Sequence, residues 1–383
     1  MGEEKRNNNI TLKEILKNLS SNMMFKLSLG SKELFHSNYW AHLLKTYPDT
    51  FKTIFYPECK IEDKVDSNSV YREMEHTDIS FRCNKELIII ENKCKDQPKI
   101  EQIVNYINKN NPHKIILISF FEPSFDEENI RNEINNEEVK YQYISYDTLS
   151  ENFNKIKNDT SKNNELKANV YFEEYCSMLE NIVALKKVLL LNEDKKYSDI
   201  INEISDAETE KIAKEFNFLS TLKKLFMNQL RCDLLKDLKN LPNLKDKKIY
   251  THVDFQYGKA YLDILIDIKK NNCNIKKLGL QLFKCKNEIN PYFELEKGID
   301  VDEQFLQEKS IFQDISDKFS GYISNFTDDK SDKFLGFDKN KKSKELCWLY
   351  KHTKKNLRKD LTYDNIKDSV SENINFIINN YLK

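Results

Sequence analysis

The run Leu87-Ile88-Ile89-Ile90, broken off by Glu91-Asn92-Lys93, is the part of this chain with the fewest structural options. An unbroken series of branched aliphatic residues favours a strand buried on both faces, because side chains at every position must be covered. Such a strand lies inside a sheet, so the surrounding sequence has to supply strands for both of its edges. A carboxylate closing so apolar a run is costly to bury unless it meets a cation or a hydrogen-bond donor. Glu91 is therefore a candidate functional residue as well as the strand's end.

The neighbouring segments supply the other elements. Residues 11–19 (TLKEILKNL) carry helical periodicity, and a second helix is expected over 31–47, ended by Pro48. On that helix Leu34, Phe35, Leu43 and Leu44 form an apolar stripe, with Glu33, Ser37 and Trp40 on a neighbouring face. VYREMEH and TDISFRC read as strands, and a turn at 84–86 leads into the Ile run. Pro98 opens a helix to about Asn108, with Ile100, Ile103, Val104 and Ile107 at helical spacing. KIILISF (114–120), reached through the breaker NNPH, and YQYISY (141–146) read as two further strands, followed by a helical DTLSENFNKI. The core order is α-β-β-β-α-β.

A chain of 383 residues is long enough for two or three domains, and the polar stretch at 158–165 divides it into residues 1–157 and 166–383. Charged residues make up 32%, but 23 Phe and 19 Tyr provide large groups to bury, so a folded protein is expected rather than a disordered one. A net charge of −1 gives no global pull toward nucleic acid, so any such contact must come from local basic patches. The eight cysteines form no CxxC pair and read as reduced cytosolic thiols. No apolar run approaches the ~18 residues of a membrane span, and Arg6 stands where N-myristoylation requires Ser or Thr. A soluble cytoplasmic protein with no membrane partner is expected.

Glu91 and Lys93 lie two apart on one strand and so share a face. If TDISFRC pairs antiparallel with that strand, Asp78 at its start lies beside Glu91. Two carboxylates in that arrangement suit a hard, incompletely caged divalent cation, Mg²⁺ with Mn²⁺ as a substitute, working on phosphate oxygens. Lys93 can then orient a hydrolytic water, activated by the ion, and offset charge developing on a phosphate. In so charged a chain, chance spacing is the competing explanation. Glu73 or Glu75 can replace Asp78 as a ligand if the strand register shifts by two residues.

An Asp on the second strand, Glu-x-Lys on the third and Gln102 with Tyr106 on the next helix together resemble the PD-(D/E)XK nuclease superfamily. KELFHSNYWAHLL ahead of the strands, IIIENK and ISYDTL are similar to a bacterial subgroup with a Glu/His-Ser helix and an ENK strand. The family's proline-aspartate is here Thr77-Asp78. The resemblance covers the first domain and implies a restriction-endonuclease-like α/β core with a mixed sheet, with Asp78, Glu91 and Lys93 as catalytic residues. It also implies Gln102 and Tyr106 as catalytic support, the Asn92 carbonyl as a further metal ligand, and Glu33 as an acid completing the metal shell through water. A solvated helix carboxylate is the plain alternative for Glu33. Gln102 and Tyr106 are i and i+4 on one helix face, placed off the Ile100, Ile103 and Ile107 stripe. His36 is a weaker candidate, since a lone His beside a helix more often packs than reacts.

The expected activity is Mg²⁺-dependent hydrolysis of nucleic acid, DNA ahead of RNA, in the setting of phage defence or restriction. The competing reading is a catalytically silent nuclease-fold module that binds nucleic acid or protein in a larger assembly. A homo-oligomer or a defence-system partner protein is compatible with either. Beyond the boundary, residues 166–241 are helical in pattern, and IYTHVDFQY, AYLDILIDI and KKLGLQLFK read as antiparallel strands of a C-terminal helical and β-containing domain. Residues 339–359 are the most basic segment: Lys351, Lys354, Lys355 and Arg358 could track a phosphate backbone while Trp348 stacks on a base. The favoured expectation there is a solvated helix that buries Leu346, Trp348 and Leu349.

Overall fold

The computed structural model describes residues 10–28, 32–134, 138–159, 169–190, 196–244, 247–256, 258–267, 275–283, 288–295, 334–343, 346–353 and 362–381. The chain forms two compact units, Met1–Val188 with Ala207–Thr221 and Leu189–Asp206 with Leu222–Lys383.

The first unit opens with helix α1 (Leu12–Ser21), started by a capping box in which Thr11 and Glu14 satisfy each other's backbone amides. Helices α2 (Met23–Leu27), α3 (Lys32–Thr46) and α4 (Pro48–Phe55) follow, and Pro48 both stops α3 and occupies the first turn of α4. The five-stranded sheet is built in sequence order from β1 (Val65–Arg72), β2 (Ile79–Cys83), β3 (Glu86–Lys93), β4 (Lys114–Ser119) and β5 (Lys140–Ser145). The β1–β2 and β2–β3 pairs are antiparallel, whereas β3–β4 and β4–β5 are parallel. Helix α5 (Ile100–Asn110) makes the crossover that the first parallel pair requires. The architecture is thus α/β with an αβββαβ core and a mixed sheet, as the element pattern indicated. Helices α6 (Glu127–Arg131) and α7 (Tyr146–Asn158) flank β5 in sequence.

Strand parity sorts the two layers of core. Ile89, Ile115 and Leu117 face α5 and α6, packing with Ile103, Tyr106, Ile107 and Ile130. On the other face Trp40 of α3, Phe120 and Tyr146 form one aromatic cluster that continues to Phe55, Phe153 and Tyr175. Tyr175 and Phe172 lie on helix α8 (Val170–Val188), which packs on α7 and α1. A division at 158–165 therefore separates the first unit from a helix that closes its aromatic core.

The first strand stops earlier than VYREMEH suggests. Glu73, Glu75 and His76 take left-handed backbone conformations, with φ of 56, 54 and 68°, around a short 3₁₀ turn over Met74–His76. The strand register is Ile79↔Ile90, so the two-residue shift does not occur, and both acids point outward. Glu75 pairs with Lys109 at 2.6 Å and Glu73 faces Arg72 at 3.7 Å, which removes them as substitutes for Asp78.

In the second unit helix α9 (Tyr197–Ser205) is separated in sequence from α11 (Leu219–Lys239) by helix α10 (Ala207–Glu215), which belongs to the first unit. The helical pattern of residues 166–241 is broken at Asn217, whose φ of 49° is a left-handed conformation that Asn tolerates better than most residues. The six-stranded sheet has the order β10-β11-β9-β8-β7-β6, from β6 (Ile249–Gln256), β7 (Lys259–Asp267), β8 (Ile275–Phe283), β9 (Glu288–Leu295), β10 (Phe334–Ser343) and β11 (Leu346–Thr353). All of its pairings are antiparallel. Helix α12 (Tyr363–Tyr381) ends the described chain.

The basic segment is not a helix where it is described. Lys339 pairs with Leu349 and Asn340 with Trp348 across the β10–β11 hairpin. Trp, Tyr and Thr in WLYKHT favour a pleated strand, and this preference outweighs the helical spacing of the lysines. Lys351 and Trp348 lie on β11, whereas Lys354, Lys355 and Arg358 fall outside the described residues. Among the described residues no helix is long and apolar enough to cross a membrane.

Candidate active site

Parity along β3 assigns its last residues to different jobs. Glu91 and Lys93 share the face of Ile89, which α5 covers, whereas Asn92 points to the α3 and α7 side. Glu91 is 2% exposed. Its Oε1 accepts from Lys93 Nζ at 2.8 Å and from Gln102 Nε2 at 2.7 Å. Among the described residues its Oε2 is buried and meets no hydrogen-bond donor.

Gln102 also donates to the Tyr106 hydroxyl at 2.7 Å, and that hydroxyl donates to the carbonyl of His76 at 2.9 Å. A carboxylate, an amide, a phenol and a loop carbonyl are thereby joined in one chain. Gln102 faces the site as its spacing suggested, but Tyr106 does not lie off the apolar stripe. Its ring packs with Ile103 and Ile107 inside the core, since it sits three positions after Ile103, and only the hydroxyl emerges at the site.

Asp78 precedes β2 and is half-buried. Its Oδ2 accepts the Asn92 amide at 2.7 Å, and its backbone carbonyl accepts from Arg72 Nη1 at 3.1 Å. In an extended strand the amide and carbonyl of one residue face the same flank. The Asn92 carbonyl thus points toward the flank occupied by Asp78, as a main-chain ligand would. The Asn92 side chain cannot serve as a ligand as well. Its Nδ2 donates to Glu33 O at 3.0 Å and Ser37 Oγ at 3.3 Å, and its Oδ1 accepts from Tyr146 at 2.9 Å.

Glu33 reaches from α3 to the C-terminal end of β3, where its Oε1 accepts the amides of Cys94 and Lys95 at 3.0 Å each. It is therefore a fixed carboxylate and not a solvated one. His36 is packed and 1% exposed: its Nδ1 shares a hydrogen bond of 2.7 Å with the Tyr175 hydroxyl, and burial, then Lys32, pushes its pKa down to about 3. Arg72, Ser37 and Tyr146 are parts of this site that the acidic motif does not reveal. For Ser37 and Tyr146 the signals were the Glu33-to-Trp40 helix face and ISYDTL; for Arg72 no sequence signal is evident.

The electrostatics describe buried acids around Lys93, with Arg72 beside Asp78. Burial, followed by the charge of Asp78, pushes Glu91 up to about 8. Burial also raises Asp78, against the pull of the Asn92 amide and Lys93. For Lys93 burial disfavours the ammonium, but Glu91, Glu33 and Asp78 outweigh it and keep its pKa above the ordinary lysine value. Carboxylates that lose solvation and repel one another gain most from an added cation. The free Glu91 Oε2, the Asp78 carboxylate and the Asn92 carbonyl are hard oxygen donors, the set that a divalent Mg²⁺ or Mn²⁺ accepts.

Comparison with protein-family models, with curated proteins and with solved structures finds no match to this chain.

Proposed function

We propose that the chain is a divalent-cation-dependent nuclease whose site is formed by Asp78, Glu91 and Lys93, with Gln102, Tyr106 and Glu33 supporting it. The observation that carries this reading is Glu91 Oε2, a buried oxygen without a donor in a carboxylate whose other oxygen is held twice. Among the described residues, neutral acceptors such as Gln142 Oε1 and Asn154 Oδ1 are left open as well, so what marks Glu91 is that the open oxygen belongs to a buried acid beside Asp78, where an added cation is favoured. A silent binding module has no need of it.

Asp78 and Glu91 would hold the cation, with the Asn92 carbonyl as a third donor. Bound there, Mg²⁺ would polarise the phosphoryl group and assist attack by water. Lys93 keeps its proton and presents positive charge where a phosphate's charge grows in the transition state. Gln102 fixes the carboxylate's rotation through Oε1, so Oε2 stays aimed at the site, and Tyr106 fixes Gln102. Glu33 orders the start of the segment after β3 and adds negative charge at Lys93. DNA is the preferred substrate, and a part in restriction or phage defence follows from the resemblance alone.

The test is incubation with supercoiled, linear and single-stranded DNA and with RNA, with and without Mg²⁺, beside Lys93→Ala. Mg²⁺-dependent cleavage by the wild type and its loss in the variant are expected. Equal cleavage by both would place the chemistry elsewhere.

A further inference from the structure

A second cluster of ligand-type side chains lies at the far end of the β2–β3 hairpin from Glu91, where Cys83 is the last residue of β2. Cys59, in the segment after α4, brings its Sγ to 3.6 Å from Cys83 Sγ. The two side chains are 6% and 2% exposed, and the ligand atoms of Cys59, Cys83 and Asp63 all lie within 4.8 Å of one another. We infer that these three residues bind a thiophilic divalent cation, Zn²⁺, independently of the nuclease reading.

The spacing excludes a formed disulfide and fits either a thiol–thiol hydrogen bond or a shared metal ion, and it is the carboxylate of Asp63 beside both sulfurs that favours the metal. Two thiolates on one tetrahedral zinc, with bonds of ~2.3 Å, stand about 3.7–3.8 Å apart, whereas a disulfide brings the sulfurs to about 2.05 Å. The observed 3.6 Å is close to the zinc value. Asp63 is already oriented as a metal-binding carboxylate would be. Its Oδ1 accepts Asn84 Nδ2 at 2.6 Å and its Oδ2 accepts the Lys60 amide at 2.7 Å, which leaves lone pairs for an ion.

Charge balance points the same way. Two thiolates, one carboxylate and Zn²⁺ sum to a single negative charge. The nearly buried ammonium of Lys52, which also pairs with the exposed Asp49 at 3.2 Å, offsets it in part while donating to the carbonyls of Ile61 at 2.8 Å and Asp63 at 2.6 Å. The ion would tie the 56–64 segment to the β2–β3 turn, already joined by paired Lys64 and Asn84 backbone and side-chain bonds. Water would take the fourth position.

The full chain is purified without chelator from zinc-supplemented culture under reducing conditions, and its zinc content is measured; a second sample is stripped and titrated with Co²⁺. About one Zn²⁺ per chain and a thiolate-to-Co²⁺ charge-transfer absorption are expected in the wild type. That absorption should vanish in Cys59→Ser with Cys83→Ser, weaken about tenfold in apparent affinity in Asp63→Asn, and persist in Glu91→Gln. If the cysteine variants do not fold, the wild-type cobalt spectrum alone decides. Absence of the charge-transfer band from the wild type, its survival in the double variant, or a Cys59–Cys83 disulfide in a metal-free protein would each overturn the proposal.

Discussion

Gln102 Nε2 donates to Glu91 Oε1 at 2.7 Å, so a helix amide sets the rotation of a strand carboxylate. Lys93 holds the same oxygen, and among the described residues the other oxygen of Glu91 is buried and meets no donor.

Gln102→Leu removes that hold while keeping a side chain of similar length. A hydrogen bond to a charged group contributes about 1.5–3 kcal/mol, equivalent to a fall in cleavage rate of roughly 10- to 100-fold. Initial rates at saturating Mg²⁺ check this. An unchanged rate would mean that Lys93 and packing position Glu91 without Gln102.

Tyr106→Phe separates the two roles of this residue. The ring stays in the core with Ile103 and Ile107, but the bonds to Gln102 and the His76 carbonyl are lost. A stability loss of about 1 kcal/mol is expected, with a smaller fall in cleavage rate than Gln102→Leu gives. Urea midpoints at constant m, compared with rates, distinguish the outcomes.

The sequence made the middle of the sheet legible because β3 and β4 are buried on both faces, so apolar runs and strand parity carry the same message. Parity also placed Glu91 with Lys93, and helical spacing brought Gln102 to the same side. Tyr106 was misjudged because a tyrosine can bury its ring and still show its hydroxyl, which a polar-versus-apolar stripe does not separate. The Glu73–His76 turn was read as strand because left-handed backbone is uncommon outside glycine and leaves no mark in residue type. Cys59 and Cys83 meet only through the pairing of β1 with β2, which no local spacing announces.

Asn92→Ala tests the buttress behind the metal-facing strand. Asn92 is fully buried, and its loss removes the acceptor of the Tyr146 hydroxyl and opens a cavity inside the core, while Glu33 O keeps its bond from Ser37 Oγ. A destabilisation of about 2–4 kcal/mol is expected, since each buried group left unpaired costs roughly 1–3 kcal/mol. Thermal or urea denaturation measures it directly.

Lys32, next to Glu33 in sequence, provides a pH-dependent test of stability. Its ammonium is buried, lies 4.0 Å above the Phe25 ring, and has its pKa pushed down to about 8 chiefly by burial. The unfolded chain holds this proton up to about 10.5, so stability should rise as pH increases from about 8 to 10.5. Below that window the penalty is fully present. Lys32→Met should raise stability at pH 7 by about 1–3 kcal/mol and abolish the rise, as urea titrations across pH would record. A variant less stable than wild type at pH 7 would show that the rings over Lys32 compensate its burial.

The cation site itself is tested most directly by titrating Mn²⁺ into the wild type and Glu91→Gln, with free Mn²⁺ followed by electron paramagnetic resonance. Gln at this position keeps the shape and loses the charge facing the cation, so binding weaker by at least tenfold is expected in the variant. Equal affinity in the two proteins would contradict a metal site built on Glu91.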